Sequence, residues 1–296
     1  MTRTVWLASY PKSGNTWFRL LLANLGRDTP ADINAIPLHA TMASGRHRFD
    51  AATLFPSGLL THEECARLRP RVHAALAEAD DEPADLAGIR FAKTHDAWTY
   101  TPGGAPLLGG RAGADAAILI VRDPRAVVPS LASHFGITSD VAIDFLGNPQ
   151  AYFCGERDRQ QPQLRQWLRG WSEFHRGWLG QRELPVHLVR YEALAADAAT
   201  TLAEALAFLG VAVDPADCAR AARFADFGEL RRQERKGGFR EAPRRHAVAF
   251  FRDGTPDGWR TVLDTVQLRR IETDHAAMME RLGYPPAALE RKRLAG

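Results

Sequence analysis

The chain has 296 residues, 45% hydrophobic and 25% charged, with a formal net charge of +3. That composition suits a globular protein with a sizeable core, and the charge excess is too small to mark nucleic acid as a bulk partner. The three cysteines, Cys65, Cys154 and Cys218, stand far apart with no CxxC pair. Neither a disulfide framework nor a zinc site is expected, and a reducing cytoplasm is the default. No apolar run reaches ~18 residues, so no transmembrane helix and no membrane partner are expected. The first strand follows the N-terminus directly, without the pattern of a signal peptide.

In chain order, Val5-Trp6-Leu7-Ala8 reads as a buried strand within Val5–Ser9. Ser9 to Trp17 then spell SYPKSGNTW, where Pro11 and Gly14 punctuate a tight loop. Asn15 or Thr16 can cap the helix that follows, whose apolar pattern covers Trp17–Leu25. A long segment, 26–88, contains an Arg/His stretch at Gly45–Phe49 and a helical pattern near Thr61–Glu78. Ala74–Ala87 reads as a solvated helix end and loop. Further strand-like runs are Ile89–Thr94, Ala117–Val121 and Val186–Tyr191. Helical patterns occupy Pro124–Phe135, Leu164–Leu179, Thr200–Leu209 and Thr265–Leu282. The alternation predicts an α/β fold with a central, mostly parallel sheet and helices on both faces, as one domain over 1–296. Segments 26–88 and 137–163 read as insertions. Ligands of such sheets bind outside the carboxyl ends of the strands, so an insertion leaving that edge is a natural lid or binding element.

Strand, small-residue loop and helix N-terminus together make an anion cradle, with backbone N–H groups aimed at the bound group and Lys12 adding a mobile charge. The loop is not a Walker A sequence, because its lysine precedes its only glycine; the plain alternative is a turn with one exposed lysine. The second strand ends Lys93-Thr94-His95, where His95 is placed to act as a base or is simply a satisfied edge histidine. The third ends Val121-Arg122-Asp123-Pro124-Arg125. Asp123 can cap a helix with Pro124 at its first position. Arg122 and, two turns on, Ser130 can hold a second phosphate, or Arg122 makes a surface pair with Asp123. Tyr191, closing the fourth strand, can contact a nucleobase or serve the core. Phe250 to Arg260 form a loop with Gly254 and Gly258, in which Arg252 can share the second phosphate; otherwise it is a surface turn stapled by Trp259. No Asp/Glu/His cluster suggests a metal.

Taken together these segments resemble the sulfotransferase family that uses 3′-phosphoadenosine 5′-phosphosulfate (PAPS). SYPKSGNTW resembles its 5′-phosphosulfate loop TYPKSGTTW, Lys93-Thr94-His95 its KTH, and VRDPRAVVPS its 3′-phosphate element. VRYEAL resembles its RYEDL-type stretch and FFRDGTPDGW its RKGxxGDW loop. The resemblance runs in order from about residue 4 to Tyr284. It implies a P-loop-like three-layer fold and transfer of a sulfuryl group to a hydroxyl or amine of a small-molecule acceptor, with PAP as product and no metal. His95 is then the general base, and Lys12 and Lys93 stabilise charge on the leaving group. Amides of Ser13, Gly14, Asn15 and Thr16 hold the 5′-phosphate. Trp17, Tyr191 and Phe227 contact adenine, and Arg122, Ser130 and Arg252, with Asp253 and Gly254 in the same loop, form the 3′-phosphate site. The layout around Gly238–Glu241 is closer to bacterial members, which points to a natural-product, aryl or sugar acceptor. Segments 26–88 and 137–163, the latter with Phe145, Tyr152, Phe153 and a charged run at Glu156–Arg159, would line its pocket.

There are departures from the family pattern. Asn15 replaces a threonine, Asp253 replaces a phosphate-binding lysine, and Gly-Asp appears as Asp257-Gly258. Arg235-Lys236-Gly237-Gly238 is a second candidate for RKG. The family's dimerisation motif is not cleanly present, so a homo-oligomer is possible but not indicated. The competing readings are a P-loop-type small-molecule kinase using ATP, and a non-catalytic nucleotide-binding protein.

Overall fold

The structure is a computed structural model and describes residues 2–36, 42–79, 84–155, 162–242, 249–252 and 254–288. The first strand β1 (Arg3–Ser9) leads into α1 (Asn15–Ala23). Segment 26–88 carries α2 (Arg46–Thr53), a 3-10 turn at Ser57–Leu59 and α3 (His62–Glu78). Then come β2 (Ile89–Thr94), the short α4 (Gly110–Gly113), β3 (Ala116–Val121), α5 (Pro124–Phe135) and α6 (Ser139–Gly147). Two-residue strands β4 (Tyr152–Phe153) and β5 (Gln166–Trp167) precede α7 (Gly170–Gly180), β6 (Val186–Arg190) and α8 (Tyr191–Ala196). The chain ends with α9 (Ala198–Phe208), α10 (Pro215–Phe224), α11 (Phe227–Gly237), a 3-10 turn at Gly258–Thr261, α12 (Thr265–Asp274) and α13 (Ala276–Arg281).

The main sheet has the order β2-β1-β3-β6 with every pair parallel. Successive side chains of a strand point to opposite faces, and here both faces are apolar. Trp6 and Ala8 of β1 with Ala117, Leu119 and Val121 of β3 pack on one side, among Leu131, Trp171, Trp178 and Met279. Val5, Leu7, Ile118 and Ile120 pack on the other, among Phe18, Leu20, Leu202 and Leu206. Two apolar faces need two helical layers, so the three-layer α/β architecture follows. Strand order reverses beside β1, and such a switch point opens a crevice at the carboxyl ends of the strands.

Boundary differences have tertiary causes. The helical pattern expected over Leu164–Leu179 begins only at Gly170. Gln166–Trp167 instead pair antiparallel with Tyr152–Phe153, and the Trp167 N–H donates to Asp96 Oδ1 at 2.8 Å. The pattern over Thr265–Leu282 is two helices meeting at His275, whose Nδ1 lies 2.8 Å from Ser172 Oγ. α1 is capped by Gly14 in a left-handed conformation, not by Asn15 or Thr16. By contrast, α5 starts as its sequence reads: Asp123 caps it by accepting from Arg125 N, with Pro124 at the first turn. The charged run Glu156–Arg159 and Asp253 lie outside the described residues.

Candidate active site

The carboxyl ends of β1, β2 and β3 bring three separated segments together. Lys12 follows β1, Lys93 lies near the end of β2 with His95 just after it, and Arg122 follows β3. All four line one cavity of about 770 Å³, together with Gly14, Asn15, Thr16, Trp17, Ser130, Tyr191 and Phe227. Arg252 and Gly254 reach it from the C-terminal loop. Ser13 does not line the cavity: it is fully buried and its N–H donates to Tyr10 O at 3.3 Å, closing the loop's own turn.

Two glycines shape the cradle. Gly14 has φ +105°, and a Cβ there would stand 2.7 Å from Tyr191 Cδ2. Gly254 has φ +65°, and a Cβ would meet the Phe227 ring at 2.6 Å. Only glycine lets these turns press against aromatic rings. Tyr191 donates its hydroxyl to Gly254 O at 2.6 Å, and the Arg122 guanidinium lies 4.0 Å from its ring centre. Trp17 packs 5.6 Å from Tyr191 and 5.1 Å from Phe227, with its indole N–H on Ala225 O. The adenine candidates thus form one aromatic corner. Asn15 braces the end of β1, donating to Leu7 O at 3.0 Å and Ser9 Oγ at 3.2 Å.

Arg122 is not the partner of Asp123. Asp123 instead binds Arg125 at 2.6 Å, a fully buried guanidinium that also pairs with Glu272 and stacks on Trp259. Arg122 therefore turns inward, donating to Lys12 O at 3.2 Å and Thr255 O at 3.4 Å. Arg252 approaches from the other wall, with its guanidinium 3.5 Å from Pro129 O. The Arg235–Gly238 candidate sits on the last turn of α11 and lines no part of the cavity.

His95 Nδ1 lies 2.7 Å from Ser9 O. A carbonyl can only accept, so Nδ1 carries the proton and the lone pair is on Nε2. Burial first, then the charge of Lys93, pushes the His95 pKa down to about 3. Lys12 has φ +69°, and its Nζ lies 3.3 Å from His134 Nδ1 and 4.3 Å from the Phe250 ring centre. Burial, then Lys93, Arg252 and Arg122, lowers the Lys12 pKa to about 7. A crowded group of cations with lowered ammonium pKa values favours an anionic ligand, whose charge would restore theirs.

Two residues of the site were missed by sequence reasoning. His134, on the last turn of α5, partners Lys12 and is held neutral, its pKa pushed to about 4 by burial and then by Lys12. Glu241 accepts from Thr16 Oγ1 at 3.0 Å and Arg19 at 2.9 Å, and pairs with Lys93 at 3.6 Å. Sequence analysis reached Glu241 only as part of the Gly238–Glu241 stretch, because its partners lie more than 140 residues away.

A model of the sulfotransferase domain matches residues 2–283. The chain belongs to the sulfotransferase family. Solved structures of the same fold include mouse sulfotransferase SULT7A1 complexed with PAP, at 16% identity over 99% of this chain and 89% of that one, TM-score 0.56. Another is retinol dehydratase in complex with retinol and PAP, at 17% identity over 93% of this chain and 81% of that one, TM-score 0.60. At these identities the likeness is one of fold. No curated protein matches the chain significantly. Among the described residues no cluster of metal-ligating side chains occurs, and no single helix is long and apolar enough to cross a membrane.

Proposed function

We propose that this sulfotransferase moves a sulfuryl group from PAPS to a hydroxyl or amine of a small-molecule acceptor by in-line displacement, with His95 as general base. The observation that carries the reading is that Lys12, Lys93, His95, Arg122, Ser130 and Arg252 line one cavity. That donor set fits a nucleotide with two anionic groups: one at Lys12, Lys93 and the N-terminus of α1, the other at Arg122, Ser130 and Arg252. The aromatic corner of Trp17, Tyr191 and Phe227 offers a face for a base.

The donor supplies an activated sulfuryl group on its 5′-phosphate. His95 takes the acceptor's proton on Nε2: burial and Lys93 leave this nitrogen unprotonated at physiological pH, and its basicity would rise toward the working range once phosphate groups offset the charges of Lys93 and Lys12. Lys12 and Lys93 offset the negative charge that develops on the departing phosphate oxygen. Arg122 and Arg252 select a 3′-phosphate and so separate PAPS from ATP. The acceptor wall comes mainly from segment 137–163: Tyr152, Phe153, Cys154, Gly155 and Gln163 line the cavity, and Phe153 stacks on Phe145 at 5.6 Å. Among described residues, segment 26–88 contributes Met42. Aromatic rings with a few polar groups suit an aryl or natural-product acceptor, in keeping with a secondary-metabolic role. Cys65, Cys154 and Cys218 stand as thiols, in keeping with a reducing compartment such as the cytoplasm.

Calorimetry with PAP and with ATP, each with and without Mg²⁺, tests the donor. PAP is expected to bind more tightly than ATP and to need no Mg²⁺. A preference for Mg²⁺-ATP would replace this reading with the kinase one. An acceptor screen with radiolabelled PAPS then defines the substrate.

A further inference from the structure

Glu241 lies among the cations that the reading above assigns to the donor, yet it belongs to none of the motifs that announce them. Its side chain is 9% exposed, and its two oxygens divide their partners. Oε1 accepts from Arg19 at 2.9 Å, while Oε2 faces Thr16 Oγ1 at 3.0 Å and Lys93 Nζ at 3.6 Å. Arg19 thus pins one oxygen, and the other is aimed at a hydroxyl and an ammonium of the donor cradle. We propose that Glu241 is a positioning residue: it keeps the buried Lys93 in its ammonium form and fixes that ammonium beside Thr16. The proposal rests on the PAPS reading for its consequence, though not for its chemistry.

A buried lysine tends to lose its proton, because burial disfavours the charged form. Lys93 is pushed in that direction by burial, and the Glu241 carboxylate is the largest opposing influence. Burial would raise the Glu241 pKa, but Lys93 and Arg19 hold it down to about 2, so the carboxylate is ionised throughout the working range. The charged and titratable groups facing it are Arg19 on α1, Lys93 at the end of β2, Lys12 in the cradle loop, His95 after β2 and His134 on α5. Its charge raises the pKa of Lys12, Lys93, His95 and His134 alike, with Lys93 the closest of them. A neutral Lys93 would carry no charge to set against a departing phosphate oxygen. The carboxylate therefore supports the cations while adding an internal anion at the same place.

The test starts from the ligand-free protein. The chain has only four lysines, at 12, 93, 236 and 292, so isotope-labelled lysine side chains can be titrated singly by NMR, with Lys93→Met assigning the signal. In Glu241→Gln, which keeps one acceptor oxygen for Arg19 and turns an amide N–H toward Thr16 Oγ1, the Lys93 pKa should fall by about 1–3 units, the usual effect of an opposite charge at this range. Lys12 should fall by less. A Lys93 titration unchanged from wild type overturns the proposal. Should Glu241→Gln not fold, Lys93→Met reads the same coupling from the other side: the Glu241 carboxyl should then titrate at least about one unit higher, and an unmoved carboxyl overturns the proposal equally. The consequence is read by calorimetry at mildly alkaline pH in buffers of different ionisation enthalpy. Glu241→Gln should take up additional protons on binding PAP, and in the Lys93→Met background the increment should shrink to the smaller share that Lys12 supplies. An increment of undiminished size there overturns the route through Lys93. If wild type does not bind PAP at all, the donor assignment fails, while the lysine titration still decides the role of Glu241.

Discussion

At the scale of single residues the site turns on which protons are where. Ser9 O fixes the His95 tautomer, so His95→Ala should lose about 10²–10⁴-fold in turnover with PAP affinity nearly unchanged; single-turnover transfer and calorimetry check the two halves. Near-normal turnover would remove His95 as the base. Arg122 is held between Lys12 O, Thr255 O and the face of Tyr191. Arg122→Ala should weaken PAP more than adenosine 5′-phosphosulfate, which lacks the 3′-phosphate; equal weakening would mean Arg122 does not read that group. Lys12 makes the cavity pH-sensitive. With a ligand-free pKa of about 7, its charge is present below that value and lost as pH rises through it. An anionic ligand favours the charged form, so PAP affinity should fall from mildly acidic to mildly alkaline pH, by up to about tenfold per unit for one coupled proton. These side chains were legible because each sits in a short motif. Glu241 was not, since its bond to Thr16 spans 225 positions of sequence.

At the scale of elements, the cradle depends on how closely the β1–α1 loop approaches β6 and α8. Gly14 sits at φ +105° over the Tyr191 ring, which is itself tied to the C-terminal loop through Gly254 O. Gly14→Ala would add both a left-handed strain of about 1–3 kcal/mol and a contact at 2.7 Å. PAP affinity should drop together with the melting temperature; an unchanged affinity would mean the loop is not held by this contact. The helices whose ends carry their own signals, α5 with Asp123-Pro124 and α3 with the Thr61–Glu64 capping box, start where the sequence says. β5 and the break at His275 carry no such signal, because the Asp96 carboxylate and Ser172 that accompany them come from elsewhere in the chain.

At the scale of the whole molecule, histidine burial sets the response to acid. His95 and His175 are pushed down to about 3, His134 and His275 to about 4, and His73 well below its ordinary value, in each case chiefly by burial. The unfolded chain binds these protons near pH 6.5 and the folded one does not, so stability is intact above that pH and falls as pH drops below it. Thermal unfolding at constant ionic strength should show the melting temperature dropping steadily from neutral to mildly acidic pH; a flat profile would contradict the burial of these rings. The sequence alone determined the sheet and its layers, because strands apolar on both faces have to be covered twice, and it marked the candidate anion-binding segments, because each is a local turn with its own chemistry. Only the tertiary structure decided how those segments share one cavity, that Asp123 belongs to Arg125 and leaves Arg122 turned inward, and that a distant glutamate sits among the lysines. Those outcomes depend on which buried charges meet, and pairing between distant charges is set by packing that no short stretch of sequence encodes.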